Sequence, residues 1–402
     1  MIKSLNEISN YELFLSADKN KREIYIFHLS DCMMVGKNIF YPNSLIYDLN
    51  EKSIYNPIKE KIMSMEKATN FFPINIPEPK FDAIESRNVF FFVYNTDNYY
   101  HFLYDTLPYL ITYKYLKSKM DIKLLMNFPN CQRNKFYNFV MESLSLLNIN
   151  KNDILISNGK TKYKNIYIST SYTHDLDSNL PPRNEIYDLY KEMASRINIS
   201  SGFPQNIYIS RRSWIHNDTT NIGTNYTTKR VMVNETELIN YLQSIGYSEI
   251  FTEKLSMAEK IIMFKNATNV VGAIGGGLSN VLFSHPNCNL FAICSPGFLS
   301  VNKRFNYSLC HTNLKIFNDT IHTEKDEFLK YMRVQYGKII GEIINIQDDI
   351  ITISYSDDPV SGWNNDIIYK TIKINRKQCV KLDDGLNSPW SVNINKLKEK
   401  IT

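Results

Sequence analysis

The alternation of apolar and polar positions divides the chain into stretches of different character. Residues 1–80 hold only short β-like runs, at 23–28 and 31–35, before Pro73, Pro77 and Pro79 mark a loop. From Asn88 the pattern becomes regular. It predicts a strand over 88–94, a helix over 98–117, a strand at Ile122–Met126, a helix over 133–147, and strands over 153–156 and 165–169. Apolar runs alternating with helix-period segments predict an α/β lobe with a mostly parallel sheet. The polar stretch 174–183, with two prolines, reads as a connection, and a helix over 185–197 follows.

A second alternating series then begins. Strands are expected over 206–210, 249–251, at Asn269–Ala273 and over 289–294, with helices over 235–245, 256–267 and 279–283 between them. Beyond a helix over 324–332 the pattern turns β-like, at 338–346, Ile350–Tyr355 and 367–374, and a short helix closes the chain from Val392. The expected organisation is a lobe of residues 1–175, a second of 176–333, and a small β-rich addition of 334–402.

The most informative segment is 270–283, Val-Val-Gly-Ala-Ile-Gly-Gly-Gly-Leu-Ser-Asn-Val-Leu-Phe. A buried parallel strand runs into a glycine-rich turn and then a new helix, with Ser279 placed as its N-cap. Glycines let backbone amides approach a ligand closely, and a helix N-terminus attracts anions. The turn therefore reads either as a diphosphate cradle or as a device that packs a helix closely on a sheet.

Bulk composition narrows the picture less. With 43% hydrophobic and 22% charged residues the chain is that of a soluble globular protein. No apolar run approaches the roughly 18 residues that span a bilayer, and the N-terminus does not read as a signal peptide, so a cytoplasmic location is expected. The net charge of +5 is spread along the chain, without the basic face of a nucleic-acid binder. Six scattered cysteines (Cys32, Cys131, Cys288, Cys294, Cys310, Cys379) form no C-x-x-C pair and read as small buried hydrophobes. The histidines lack metal-site spacing, so no bound metal is expected.

Several local patterns combine into a resemblance. The segment Asn98-Tyr-Tyr-His101-Phe-Leu-Tyr-Asp105-Thr-Leu-Pro108 resembles the N-x-x-H-x-x-x-D-x-x-P segment of glycosyltransferase family 61. Further on, Tyr208-Ile-Ser-Arg211-Arg212, Arg230-Val-Met-Val-Asn234-Glu235, Ser256-x-x-Glu259, the glycine turn through Asn280, and the closing Ser388-Pro-Trp390 follow the same family's order. The resemblance spans roughly residues 88–310 and the last dozen. It implies a GT-B-like fold, two Rossmann-like lobes facing a central cleft, and an inverting transfer from a nucleotide sugar, UDP-linked, to a glycan hydroxyl. Such an enzyme works in surface or capsular polysaccharide synthesis, peripheral to the membrane or a glycan-assembly complex, with no cofactor beyond its donor. Two departures stand out: Ile274 where relatives often carry histidine, and a stretch of about 334–385 with no counterpart.

The residues can be weighed for that chemistry. A base must take the acceptor proton, and the leaving diphosphate must be stabilised. His101 lies past a strand end near a helix start, and Asp105, four residues on, shares its face; either could accept the proton, the imidazole more readily. Arg211 and Arg212 follow a strand directly, and a guanidinium fork suits a diphosphate without a metal. The family pattern points to Arg211, with Arg230 a second candidate. Gly275, Gly276 and Gly277 would meet phosphate. Ser279 either donates to it or caps its helix, and Asn280 is a contact or buried packing. Glu253, past a strand, could hold a ribose hydroxyl, and Ser256 with Glu259 forms a structural capping box. An Asp-x-Asp spacing occurs at Asp175 and Asp177, in the expected connection.

Two other readings compete. An NAD(P)-binding Rossmann oxidoreductase explains the glycines, but they run G-x-x-G-G-G, and the strand over 289–294 ends without the acidic residue for a ribose. A non-catalytic glycan-binding relative is suggested only by Ile274.

Overall fold

The computed structural model describes residues 2–3, 5–17, 22–37, 42–57, 78–94, 96, 98–128, 135–173, 180–197, 202–212, 230–301, 303–322, 328–330, 332–355, 370–382 and 388–401, and the structural statements below concern these. The chain forms two compact units, Met1–Arg196 and Ile197–Thr402. Each is mixed α/β. No helix among the described residues is long and apolar enough to cross a membrane.

The first unit is built on one sheet of nine strands. These are β1 (Ile2–Lys3), β2 (Tyr11–Leu15), β3 (Ile24–Lys37), β4 (Pro42–Asp48), β5 (Ser53–Tyr55), β6 (Ala83–Phe91), β7 (Ile122–Met126), β8 (Ile154–Ile156) and β9 (Thr161–Ser169). Their order is β1-β5-β4-β3-β9-β6-β7-β8, with β2 paired to β3. The expected parallel set is present as β9-β6-β7-β8. The sheet as a whole is nevertheless mixed rather than mostly parallel, because β3 pairs antiparallel with β2, β4 and β9. The sequence pattern split β3 into two short runs, 23–28 and 31–35, at Leu29-Ser30; just beyond that gap Asp31 takes a φ of 52° inside the strand. Its carboxylate is met there by Lys162 and Lys164 of β9, at 3.2 and 2.8 Å, and those ammonium groups hold its pKa below the ordinary range.

The helix expected over 98–117 is one helical run with three pitches: a π turn at His101–Thr106, a 3-10 turn at Leu107–Tyr109, and α1 at Leu110–Lys119. Pro108 explains the change of pitch. It has no N–H for the carbonyl of Tyr104, and its ring crowds that carbonyl, so the preceding turn widens. Two further helices, α2 (Asn138–Leu146) and α3 (Glu185–Ser195), complete the unit. The segment leading into α3 is tied into this unit. Arg22 donates to the carbonyls of Leu180 (2.7 Å) and Pro181 (3.3 Å), and Arg183 donates to those of Ser16 (2.8 Å) and Arg22 (3.0 Å). Asp175 and Asp177 lie outside the described residues.

The second unit carries the other alternating series. Strands β10 (Asn206–Ile209), β11 (Ser248–Ile250), β12 (Asn269–Ala273), β13 (Asn289–Ile293) and β14 (Asn313–Phe317) form a parallel sheet in the order β11-β10-β12-β13-β14. Numbered from its own first strand this is 2-1-3-4-5, a doubly wound order whose direction switches between β10 and β12. Helix α4 (Glu235–Ser244) packs one face, where Leu238, Ile239 and Leu242 meet Tyr208, Val271, Ala273, Phe291 and Ile293. Helix α5 (Met257–Asn266) starts at the predicted capping box: Ser256 accepts from the Glu259 amide and Glu259 from that of Ser256. Short helices α6 (Phe298–Val301) and α7 (Lys303–Leu309) follow β13.

Strands β15 (Thr320–His322) and β21 (Trp390–Val392) pair antiparallel before the closing helix α8 (Ile394–Ile401). Between them lies an antiparallel sheet of β16 (Arg333–Tyr336), β17 (Ile339–Gln347), β18 (Ile350–Tyr355), β19 (Lys370–Asn375) and β20 (Val380–Leu382), with its own core around Val334, Ile343, Ile351 and Ile353. The β-rich addition is thus present; most of the helix expected over 324–332 falls outside the described residues. Of the cysteines, Cys32, Cys288 and Cys294 are buried as expected, but Cys310 is exposed and Cys379 half-buried. The Cys310 thiol donates to the Asn306 carbonyl (3.0 Å) at the end of α7, and Cys131 lies outside the described residues.

The lower edge of the parallel sheet holds an asparagine ladder. Asn269 donates to Asn206 (2.8 Å), Asn289 to Asn269 (2.9 Å) and Asn313 to Asn289 (3.4 Å), all from positions level in the strand register. Because Asn269 both gives and receives, Asn269→Ala should cost about 1–2 kcal/mol, whereas Asn313→Ala at the exposed end should cost under about 0.5 kcal/mol. Urea unfolding of the two variants checks the ordering.

Candidate functional site

In the first unit, β6 delivers the chain to the π turn, whose first residue is His101. Its Nδ1 lies 2.6 Å from Asp105 Oδ2, with side-chain exposures of 15% and 5%. An ionised carboxylate can only accept, so this bond assigns the proton to Nδ1 and leaves Nε2 as the basic nitrogen. The Thr173 hydroxyl lies 3.5 Å from the other oxygen of Asp105. The widened turn also explains Tyr190. Leu107 N–H donates to Phe102 rather than Leu103, which frees the Leu103 carbonyl, and the buried Tyr190 hydroxyl donates to it at 2.8 Å. Tyr100 stacks on Tyr104 beneath the same turn (5.7 Å). A π turn carrying a hydrogen-bonded His–Asp pair is a common setting for function.

In the second unit the candidates gather at the carboxyl ends of the strands. Arg211 leaves β10 and the glycine turn leaves β12, so both border the point where strand order reverses, the usual ligand crevice of such sheets. The two are in contact: a Cβ on Gly275 would collide with Arg211 Nη1. A Cβ on Gly277 would lie 2.7 Å from Thr252 Oγ1 and 3.0 Å from Ile209 Cγ2, and one on Gly272 3.0 Å from Ile209 Cβ. None of these three glycines has a positive φ. They are required by close approach, and at Gly275 the group that approaches is the guanidinium.

Arg211 is oriented by a residue that the sequence placed only within the family segment Arg230–Glu235 and gave no role. Glu235, 2% exposed at the start of α4, accepts at Oε1 from the Arg211 amide (2.7 Å), the Tyr208 hydroxyl (2.9 Å) and the Ser210 hydroxyl (3.2 Å). Burial pushes the Glu235 carboxyl above the ordinary range against these donors and the Arg211 charge. Burial likewise holds the Arg211 guanidinium below its ordinary value, while Glu235, Tyr208 and Glu253 pull it back. Glu253, past β11, thus acts on Arg211, and its Oε1 is buried. An acidic residue opening a helix reads as a solvated dipole partner; only the two consecutive arginines upstream hint at a buried counter-charge. Arg212 is taken up separately by a fork onto Glu249, two bonds of 2.7 Å.

The remaining candidates separate. Ser279 is not the N-cap: Gly277 holds that place in the 3-10 turn Leu278–Phe283. The Ser279 hydroxyl donates instead to the Gly276 carbonyl (2.6 Å), and Asn280 Nδ2 to the Gly277 carbonyl (2.8 Å), both closing the turn on itself. Ile274 is buried and its amide donates to Ile293 (2.9 Å). Arg230 lies with its guanidinium 4.3 Å from the centre of the Phe298 ring in α6.

Residues 99–291 match the model of the family Glycosyltransferase 61. This segment is a glycosyltransferase 61 segment. The match bears out the resemblance read from the sequence, and it contains His101, Asp105, Arg211, Arg230, Glu253, the glycine turn, Ser279 and Asn280. It also supports glycosyltransferase activity, hence a donor and a glycan acceptor in general terms. No curated protein matches the chain.

The Glu235 geometry predicts a pH effect. A carboxyl whose value is raised on folding binds its proton more tightly in the folded state, so stability falls as pH rises from the unfolded value, about 4.3, through the folded one. Glu235→Gln keeps an acceptor at the same place and does not titrate. The stability of the natural protein relative to this variant should therefore fall with rising pH across that window and then level off. Urea unfolding of both proteins at a series of pH values checks it, and parallel curves would count against a buried charge.

Proposed function

We propose that the protein is an inverting glycosyltransferase that uses a nucleotide-sugar donor, UDP-linked, and a glycan hydroxyl acceptor. The observation that carries this reading is the Arg211 guanidinium lying against the Cβ-less Gly275 at the switch point of the second unit's parallel sheet. A forked cation held against the glycine turn at a sheet's switch point suits the two phosphates of a leaving nucleoside diphosphate. Arg230 is the second cation in that role, and Glu253 the acceptor for a ribose hydroxyl.

In this reading the two units act as the two lobes of a GT-B enzyme, with His101 on the acceptor side. His101 Nε2 takes the proton from the acceptor hydroxyl while Asp105 holds Nδ1–H in place. The acceptor oxygen forms its bond to the anomeric carbon from the face opposite the diphosphate, and the bond from that carbon to the diphosphate oxygen breaks, with its electron pair leaving on the diphosphate. Arg211 and Arg230 offset that charge without calling on a metal. Surface or capsular polysaccharide synthesis, by a cytoplasmic enzyme peripheral to the inner membrane face, is the setting we propose.

Incubation with labelled nucleotide sugars and oligosaccharide acceptors tests the activity; failure of every donor to transfer or hydrolyse would count against it. His101→Ala should lower turnover by about 10²- to 10⁴-fold with nucleotide affinity retained. Near-normal turnover in that variant would sink the assignment of the base. Arg211→Ala should weaken nucleoside diphosphate binding about tenfold or more, the loss of one charge-assisted contact. Gly275→Ala should reproduce much of that loss by calorimetry, because the added methyl occupies the guanidinium's place.

A further inference from the structure

We propose that Trp390, at the far end of the chain, is a positioning residue for the donor side, acting through Arg230; this rests on reading Arg230 as a contact to the donor's diphosphate. Arg230 has a φ of 55°. For a residue with a Cβ this left-handed conformation is unfavourable by about 1–2 kcal/mol, so it persists only where its surroundings impose it.

The closing strand β21 imposes it. Trp390 Nε1–H donates to the Arg230 carbonyl at 2.9 Å, across 160 residues of sequence. The Trp390 backbone brackets Met232, its amide donating to Val231 (3.0 Å) and its carbonyl accepting from Val233 (2.8 Å). Two residues on, Val392 exchanges two bonds with the Asn234 side chain, 2.8 and 3.1 Å. Residues 230–234 are thus gripped along their length, and Glu235, which orients Arg211, comes next. The indole is 1% exposed and shares a core with Met232, Tyr208, Val271 and Phe291, so the strand is anchored to the sheet whose upper edge carries the site.

With its carbonyl held by the indole, Arg230 sends its side chain over the Phe298 ring in α6, the helix that follows β13. Without that hold, the backbone can relax to negative φ, and the guanidinium then leaves the ring. Core filling alone would need only an apolar ring of similar size. The indole N–H adds one specific bond, to the one residue in 230–234 with a left-handed backbone.

Trp390→Phe keeps an apolar aromatic ring in the core, smaller than the indole, and removes the N–H. Binding of uridine, guanosine, cytidine and thymidine diphosphates to the full chain is measured by calorimetry, and donor KM and kcat are read with the sugar that transfers. We expect Trp390→Phe to raise Kd and donor KM about three- to tenfold, the loss of one hydrogen bond, with kcat at saturating donor within twofold. Arg230→Ala should cost at least as much, and the double variant no more than Arg230→Ala alone. Should the Phe variant fail to fold, Trp390→Met removes the same N–H with a long, flexible apolar side chain in its place and gives the same comparison. If Arg230→Ala binds nucleotide as tightly as the natural protein, the donor reading of Arg230 falls and the inference with it. If Arg230→Ala weakens binding while Trp390→Phe does not, or the two losses add, the donor reading stands and the inference alone is overturned.

Discussion

A single buried carboxylate oxygen sets the geometry of the donor-side edge. Glu235 Oε1 accepts from the last aromatic of β10, the hydroxyl that follows it and the amide of Arg211. Withdrawing a carboxylate from water costs several kcal/mol unless donors replace the lost hydration. Here the replacing donors come from one short stretch, residues 208–211. The same interaction therefore satisfies the charge and dictates how the chain leaves the sheet. Once that exit is set, Arg211 falls against Gly275 and Arg212 against Glu249. Two adjacent arginines of the same chemistry are assigned different work by the direction in which the backbone turns.

Much of the second unit was legible because its signals are local. Val270, Val271 and Ala273 make a continuous apolar run, as a strand buried on both faces must, and β12 has the predicted limits. Ser256 and Glu259 sit at capping-box spacing and form that box. Two of the misses share a cause, partners distant in sequence, and the third, at Ser279, is a local competition. Ser30 and Asp31 interrupt the apolar pattern of β3, yet the strand continues because Lys162 and Lys164 neutralise Asp31 from β9. Glu235 looks solvated at a helix start and is buried because Tyr208 and Ser210 arrive from β10. Ser279 has the composition of a cap, but its hydroxyl reaches its own turn's carbonyl first.

The candidate site shows the same division. His101 and Asp105 are four apart, so their pairing follows from any helical pitch, and the sequence could reveal it. The π widening needs Pro108 together with Tyr190, 87 residues away, to receive the carbonyl it frees. The glycines were visible as glycines, but their reason was not. Left-handed backbone is absent from Gly272, Gly275 and Gly277, and what each accommodates, a guanidinium, a threonine hydroxyl or an isoleucine, becomes apparent only when β10 and β11 are set beside β12.

The asparagine ladder beneath the parallel sheet has a consequence for the protein's chemical ageing. Its three inter-strand bonds all run the same way, each Nδ2 giving to the Oδ1 of the next strand in the direction of β10. Hydrolysis of one amide to a carboxylate would remove a donor and leave acceptor facing acceptor. Loss at Asn269 would set a negative charge against Asn206 Oδ1 at the centre of the row, whereas loss at Asn206, which only receives, would leave the bond from Asn269 in place. Deamidation is therefore unequal in its effect along the row: it breaks the ladder at Asn269 or Asn289, each of which both gives and receives, and spares it at Asn206.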